Sequence, residues 1–356
     1  MKCKLSDICD FRKGKVEVEN LNTKNYISTE NMLPNKSGIT EATSLPNVSS
    51  TQEYKNGDVL VSNIRPYFKK IWQARYDGGC SNDVLVFVPK STTDRDFLYY
   101  LLAYDDFFTY SMATSKGTKM PRGDKTSIMQ YDVPMLDFCT QKKIASVLKS
   151  LDEKIELNNA INENLEQQAQ AIYCDMFITN ANPSWQLGRL SDLIAVRYGK
   201  NHKKLADGIY PVYGSGGIMR YAEKPLYDKE SVLIPRKGTL NNVMYVNKPF
   251  WSVDTMFFTE MKLPNVAKFV FHFVKSKDLA SLNAGSAVPS MTTDILNAME
   301  LSIPDANTLY KFENIVAPMY QAMQQNTQQS SKLAELRDSL LPRLMSGEID
   351  VTDIQI

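Results

Sequence analysis

Two segments of this chain carry the same helical periodicity, and they lie 168 residues apart. Residues 141–178 contain no glycine or proline and are rich in Leu, Ile, Glu, Gln and Asn. Alternating steps of four and three select Ile144, Leu148, Leu151, Ile155, Asn158, Asn162, Leu165, Ala169, Ile172 and Met176. That spacing describes a coiled-coil seam rather than a broad globular face. The same template, shifted, selects Phe312, Val316, Met319, Met323, Asn326, Ser330, Leu333, Arg337, Leu340 and Leu344. The polar interruption falls at the same two positions in both copies, Asn158 and Asn162, then Asn326 and Ser330. Arg337 is the one charged intruder, and Pro318 and Pro342 predict kinks or boundaries in the second helix.

A repeat of helices invites a search for a repeat of what precedes them. Lys4-Leu5-Ser6-Asp7-Ile8 with Gly14-Lys15 matches Arg189-Leu190-Ser191-Asp192-Leu193 with Gly199-Lys200. Asp58-Val59-Leu60-Val61 is similar to Ser231-Val232-Leu233-Ile234, and Ser81 to Phe87 is similar to Ser252 to Phe258. Gly117-Thr118 with Pro121 matches Gly285-Ser286 with Pro289, and Pro134 matches Pro304. Within each copy, β-branched and aromatic runs predict strands over 58–62, 69–76 and 83–88, then 231–235, 242–246 and 254–259. Helical stretches follow near 94–112 and 264–280, and last strands near 131–136 and 298–303. The expected architecture is α+β. A first mixed domain spans 1–140 and a spacer helix 141–180. A second domain spans 186–305, a second spacer helix 306–346 and a short tail 347–356. The two helices are expected to pack as an antiparallel coiled coil that separates the domains with internal pseudo-two-fold symmetry.

Net charge is +1, and its distribution is more informative than its sum. Residues 1–140 carry +1, 141–180 carry −2, 186–305 carry +4 and 306–356 carry −2. Neutral-to-basic domains with acidic helices suit recognition by the domains and partner contact by the helices. The five cysteines are scattered without a C-x-x-C pair, which points to a reducing compartment. His202 and His272 have no Cys or His at zinc spacing, so no metal site is expected. The first residues lack the apolar core of a signal peptide, and no apolar run approaches a bilayer-spanning length. A cytoplasmic protein with no membrane contact is expected.

Lys142 to Asn158, with the run Lys142-Lys143-Ile144-Ala145-Ser146-Val147-Leu148, strongly resembles the central conserved region of type I restriction–modification specificity subunits. Leu336-Arg337, Leu340-Leu341-Pro342 and Leu344-Met345-Ser346-Gly347-Glu348-Ile349 resemble the distal conserved region of that family. Pro211-Val212-Tyr213-Gly214-Ser215-Gly216-Gly217-Ile218 looks like a segment near the start of the family's target-recognition domains. The resemblance covers essentially the whole chain. It implies two target-recognition domains, each binding one half of a split asymmetric target in double-stranded DNA, with the helices setting the unspecified spacer. It also implies two methyltransferase subunits and two motor-nuclease restriction subunits as partners. S-adenosylmethionine, ATP and Mg2+ would then belong to those partners, with no cofactor bound by this chain. A helix over 144–176 would be roughly 50 Å long at about 1.5 Å per residue, on the order of 15 base pairs.

Reading DNA requires cations for phosphate and polar side chains for base edges. In the first domain, Lys116, Lys119, Arg122 and Lys125 lie in a loop with Gly117 and Gly123, and Arg65, Lys69 and Lys70 form a second cluster around Tyr67. In the second, the candidates are Lys200, Lys203 and Lys204 with His202, then Tyr213, Ser215 and Arg220, then Arg236 and Lys237, and Ser286 in the counterpart of the first basic loop. Catalytic motifs are missing. Asn182-Pro183-Ser184-Trp185 lacks the second proline of a base-gripping tetrapeptide and lies in a linker. Gly214-Ser215-Gly216-Gly217 is followed by no Lys-Ser/Thr pair. The chain therefore reads as a non-catalytic specificity subunit. The alternative is a scaffold with two paired interaction domains that bind no DNA, and DNA binding with the partner methyltransferase separates the two.

Overall fold

The computed structural model describes residues 2–282 and 290–352, and these divide into two compact units. The first comprises residues 1–158 and 327–356; the second comprises 159–326. Both boundaries fall inside long helices, Phe138–Cys174 and Ala306–Ser346. Each unit thus contains one globular domain and a segment of each helix.

The first unit is built on a four-stranded antiparallel sheet in the order Cys9–Phe11, Val84–Pro89, Val59–Ser62, Ile71–Gln73. The second unit repeats that order with Ile194–Tyr198, Met256–Met261, Ser231–Pro235 and Met244–Val246. The central strands, Val59–Ser62 and Ser231–Pro235, are buried on both faces, which is why they read as continuous apolar runs. A smaller sheet completes each domain: Lys15–Glu17, Ser50–Tyr54, Gly78–Cys80 and Tyr26–Ile27 in the first, Gly217–Ala222, Asp207–Gly214 and Trp251–Ser252 in the second. The expected helix near 94–112 is two helices, Arg95–Ala103 and Asp105–Ala113, because Tyr104 adopts an extended backbone. Its counterpart is one helix, Ala267–Lys275.

The repeated Leu-Ser-Asp motif has a local cause. In both copies it forms a single helical turn, and its aspartate accepts the backbone N–H three residues earlier: Lys4 N to Asp7 and Arg189 N to Asp192, each 2.7 Å. This is half of a capping box. Leu5 N and Leu190 N donate to Tyr131 O and Met299 O, tying the turn to the end of its domain. A lysine that the sequence comparison did not pick out completes the motif. Lys90 Nζ donates to Ser6 O at 2.5 Å, and Lys262 Nζ donates to Ser191 O at 2.6 Å.

The helices close the cores. In the first unit, Ile144 and Leu148 pack with Leu341, Leu344 and Met345 in the cluster that holds Leu5, Phe97 and Phe107. In the second, Ala169, Tyr173 and Phe177 pack with Leu309, Phe312, Val316 and Tyr320 around Phe269 and Leu190. Within each unit the helix segments run antiparallel, since rising numbers on one pair with falling numbers on the other. The remaining expected seam residues, Leu151, Ile155, Leu165, Ile172, Met319, Met323, Leu333 and Leu340, are half-buried. The polar gap is bonded across the helices. Asn158 donates to Gln329 Oε1 (2.9 Å) and Ser330 Oγ (3.3 Å) in the first unit, and Asn326 donates to Asn162 Oδ1 (2.9 Å) in the second. Arg337 pairs with Asp152 at 2.6 Å. The two prolines do not bound the second helix, which runs unbroken through both. Each removes one N–H bond, and tertiary packing on Val316, Tyr320, Leu341 and Leu344 holds the helix regardless.

His272 is fully buried in the second unit. Gln170 Oε1 lies 2.7 Å from Nδ1 and the Tyr320 hydroxyl 2.9 Å from Nε2. An amide oxygen only accepts, so Nδ1 carries the proton and Nε2 accepts from the tyrosine, which is the neutral ring. Burial, with Lys275 adding repulsion, pushes its pKa down to about 4. Beside it, buried Lys268 bridges Glu230 (3.0 Å) and Glu313 (2.7 Å). Among the described residues no helix is long and apolar enough to cross a membrane, and no cluster of His, Cys, Asp and Glu could hold a metal.

Two predictions follow from these contacts. Asp7→Ala and Asp192→Ala should each cost about 1 kcal/mol in denaturant unfolding. Because the folded His272 pKa lies below its unfolded value, stability should be full above about pH 6.5 and fall as pH drops toward about 4. The loss is on the order of 3 kcal/mol. Unfolding midpoints between pH 6.5 and 5, before most carboxylates titrate, should fall in the parent protein and stay flat in His272→Gln.

Candidate nucleic-acid interface

In the first unit the chain leaves the strand Val59–Ser62 and turns through Asn63 to Lys70. Arg65 and Lys69 flank the turn in left-handed backbone, with φ of 52° and 50°. The basic loop at 116–125 folds onto this turn. Lys116 and Arg122 exchange backbone bonds at 2.8 and 2.9 Å, and Gly117 at φ 94° supplies the reversal. Arg65 N donates to Pro121 O at 2.8 Å, and Gly123 N to Asn63 O at 3.2 Å. Two basic clusters some fifty residues apart in sequence thus form one surface.

Their charges are not equally available. Lys69 and Lys36 both pair with Asp105 at 2.7 Å. Lys116 pairs with Asp124 at 2.7 Å and, with the Ser127 amide, holds that carboxyl down to about 2. Arg122 pairs with Asp83 at 3.1 Å. Lys70 donates to Thr29 O at 2.6 Å, and burial lowers its pKa, so its role includes holding the turn. Among the described residues Arg65, Lys119 and Lys125 have no ion pair, and Lys119 and Lys125 are exposed.

The second unit places a basic turn at the same point of its topology, after the strand Ser231–Pro235. Lys237 pairs with Ser290 as an isolated bridge, and Met291 N donates to Arg236 O at 2.9 Å, as Ile64 pairs with Arg122 in the first unit. Arg236 lies over the Tyr198 ring at 5.3 Å, two residues before Lys200. The Lys200 carbonyl accepts from Trp251 Nε1 at 2.8 Å, while its side chain and those of Lys203 and Lys204 are exposed. Ser215 sits against Gly238, where a Cβ would lie 2.7 Å from its hydroxyl, and φ is 86°. That position therefore calls for glycine.

Two expected contacts fall elsewhere, and a third is not described. Tyr213 is buried among Phe250, Trp251 and Val253, and burial pushes its pKa up to about 12, so it is a core residue rather than a reading one. Arg220 is committed to Leu205 O (3.0 Å) and Asp207 (2.6 Å) within its own domain. Ser286 lies outside the described residues. The sequence reading missed Lys36 and Tyr198. Both enter through long-range packing, and one sequence holds no signal for that.

A duplicated domain whose copies each carry a basic turn after the inner strand, together with long helix segments, suits a nucleic-acid-reading protein. The type I restriction modification DNA specificity domain matches residues 1–167 and 182–330, and the chain belongs to that family. The MjaIX specificity subunit of Methanocaldococcus jannaschii is 23% identical, covering 75% of this chain and 72% of its own. The HindI specificity subunit of Haemophilus influenzae is 22% identical, covering 91% and 94%. The crystal structure of a type I restriction–modification S subunit from M. genitalium has the same fold, with a TM-score of 0.61 at 18% identity over 97% of this chain and 96% of that one. The role of the chain is DNA sequence specificity in a type I restriction–modification system.

The pairing pattern sorts the lysines. Lys119→Gln should weaken DNA binding uniformly across sequences and lower the salt slope by about one. Lys116→Gln, whose charge Asp124 already offsets, should change the slope less. Binding isotherms over a salt series check both.

Proposed function

We propose that each unit reads one half of a bipartite, asymmetric DNA target, and that the helices set the spacer between the halves. The observation that supports this is the basic turn after the inner strand, at the same place in both topologies but built from different side chains. One scaffold with two unlike surfaces suits two unlike half-sites. Direct contacts are assigned to Arg65, Lys119, Arg122 and Lys125 in the first unit, and to Lys200, Lys203, Lys204, Arg236 and Lys237 in the second. The helices, which carry the acidic excess, offer surfaces for two methyltransferase subunits, and two restriction subunits complete the assembly. S-adenosylmethionine, ATP and Mg2+ are assigned to those partners.

Because Asn158 pairs with Ser330, and Asn162 with Asn326, a length change must be made in both helices. One heptad inserted after Asn158 and a matching one before Ser330 should lengthen the spacer and leave both half-sites unchanged. Methylome sequencing reads the outcome, and altered half-sites at the old spacing would refute the assignment.

A further inference from the structure

Among the described residues five non-glycine residues have left-handed backbone, and four of them meet at one place in the first unit: Asn35, Lys36, Arg65 and Lys69. They are bonded to one another's segments. Asn35 N donates to Phe68 O at 2.8 Å and Lys36 N to Lys69 O at 2.9 Å. Residues with a Cβ adopt this conformation only where the surroundings impose it, and such clusters mark functional sites. What the clamp holds out is an aromatic pair. Tyr67 is 49% exposed and Phe68 37%, with ring centroids 4.7 Å apart, directly after the rigid Pro66.

About half of Tyr67 and more than a third of Phe68 stay open to solvent, apolar surface that folding does not use and that is available to something outside the fold. The surroundings say what. Arg65, Lys69 and Lys70 share the turn with the pair, Lys36 is bonded to it through the backbone, Lys70 Nζ lies 5.8 Å from the Phe68 centroid, and Arg65 Nε is buried without a partner among the described residues. Cations around exposed aromatic faces fit a polyanion whose monomers have π-faces. Asp105 answers Lys36 and Lys69, but Arg65 has no ion pair among the described residues, and an apolar protein partner would leave its charge unanswered. We propose that Tyr67 and Phe68 are an aromatic wedge that stacks against the bases of the half-site bound by the first unit. This rests on the DNA-reading role above and adds a specificity-determining contact to it. The corresponding turn of the second unit, Arg236-Lys237-Gly238-Thr239, has no aromatic residue, so the wedge belongs to one half-site only.

The test uses the full chain in complex with its methyltransferase subunits and a duplex bearing the target found by methylome sequencing. Binding is measured over a KCl series. Tyr67→Ala with Phe68→Ala should lose about ten-fold in affinity or more, with the salt slope unchanged, because stacking releases no counterions. Tyr67→Trp should keep its affinity, and the emission it adds over the parent protein should be quenched by the specific duplex. The side chains are exposed, and an unchanged unfolding midpoint confirms that the variants fold. A loss under two-fold, or a loss accompanied by a slope lowered by about one, overturns the wedge while leaving the reading role standing. Binding by the parent complex that does not depend on this chain overturns both.

Discussion

Neither globular domain closes its core alone. In the first unit Ile144 and Leu148 arrive from one long helix, and Leu341, Leu344 and Met345 from the far end of the other. Burying five such side chains is worth on the order of 10 kcal/mol, at about 1.5–3 kcal/mol each. That is comparable with the whole stability of a typical domain. The second unit has the same debt, met by Tyr173, Phe177, Phe312 and Val316. The helices are therefore structural parts of the domains before they are spacers. The chain's last helix is bound to the domain that its first residues begin.

This explains why the seam is not uniform. At the domain ends it is apolar, because it completes a core. Between those ends it turns polar, where Asn158, Asn162, Asn326 and Ser330 bond across the helices. Amides in a seam cost stability relative to leucine, yet an out-of-register pairing would strand them without partners. Arg337, an intruder by periodicity alone, is answered by Asp152 at 2.6 Å. Such a seam fixes register at some expense of maximal stability.

Much of this was legible in the sequence where the cause is local. The Leu-Ser-Asp turns, the doubly buried strands and the repeated polar gap follow from capping, burial and period, and each shows in a short window of residues. The prolines do not end the helix, because packing outweighs a missing hydrogen bond. Tyr213 misled because a Gly-rich neighbourhood resembles a loop, while a strand in fact carries it into the core. The cationic clusters were visible as clusters. Their partners were not, since Asp83 comes from a distant turn and Asp105 from a distant helix, and only packing shows which cations are already answered.

Those carboxylates bear on how a chain of nearly neutral charge reads DNA at all. A surface of bare cations binds any phosphate backbone, and that term carries no sequence information. Asp83, Asp105 and Asp124 each hold a lysine or arginine at 2.7–3.1 Å in a set direction. In the proposed reading a phosphate displaces such a carboxylate, which lowers non-specific affinity. A correctly placed target meets side chains already oriented, so less freedom is lost on binding. What a genome demands is the ratio of specific to non-specific affinity, not the affinity itself. Paired cations raise that ratio, whereas an excess of unpaired ones would lower it.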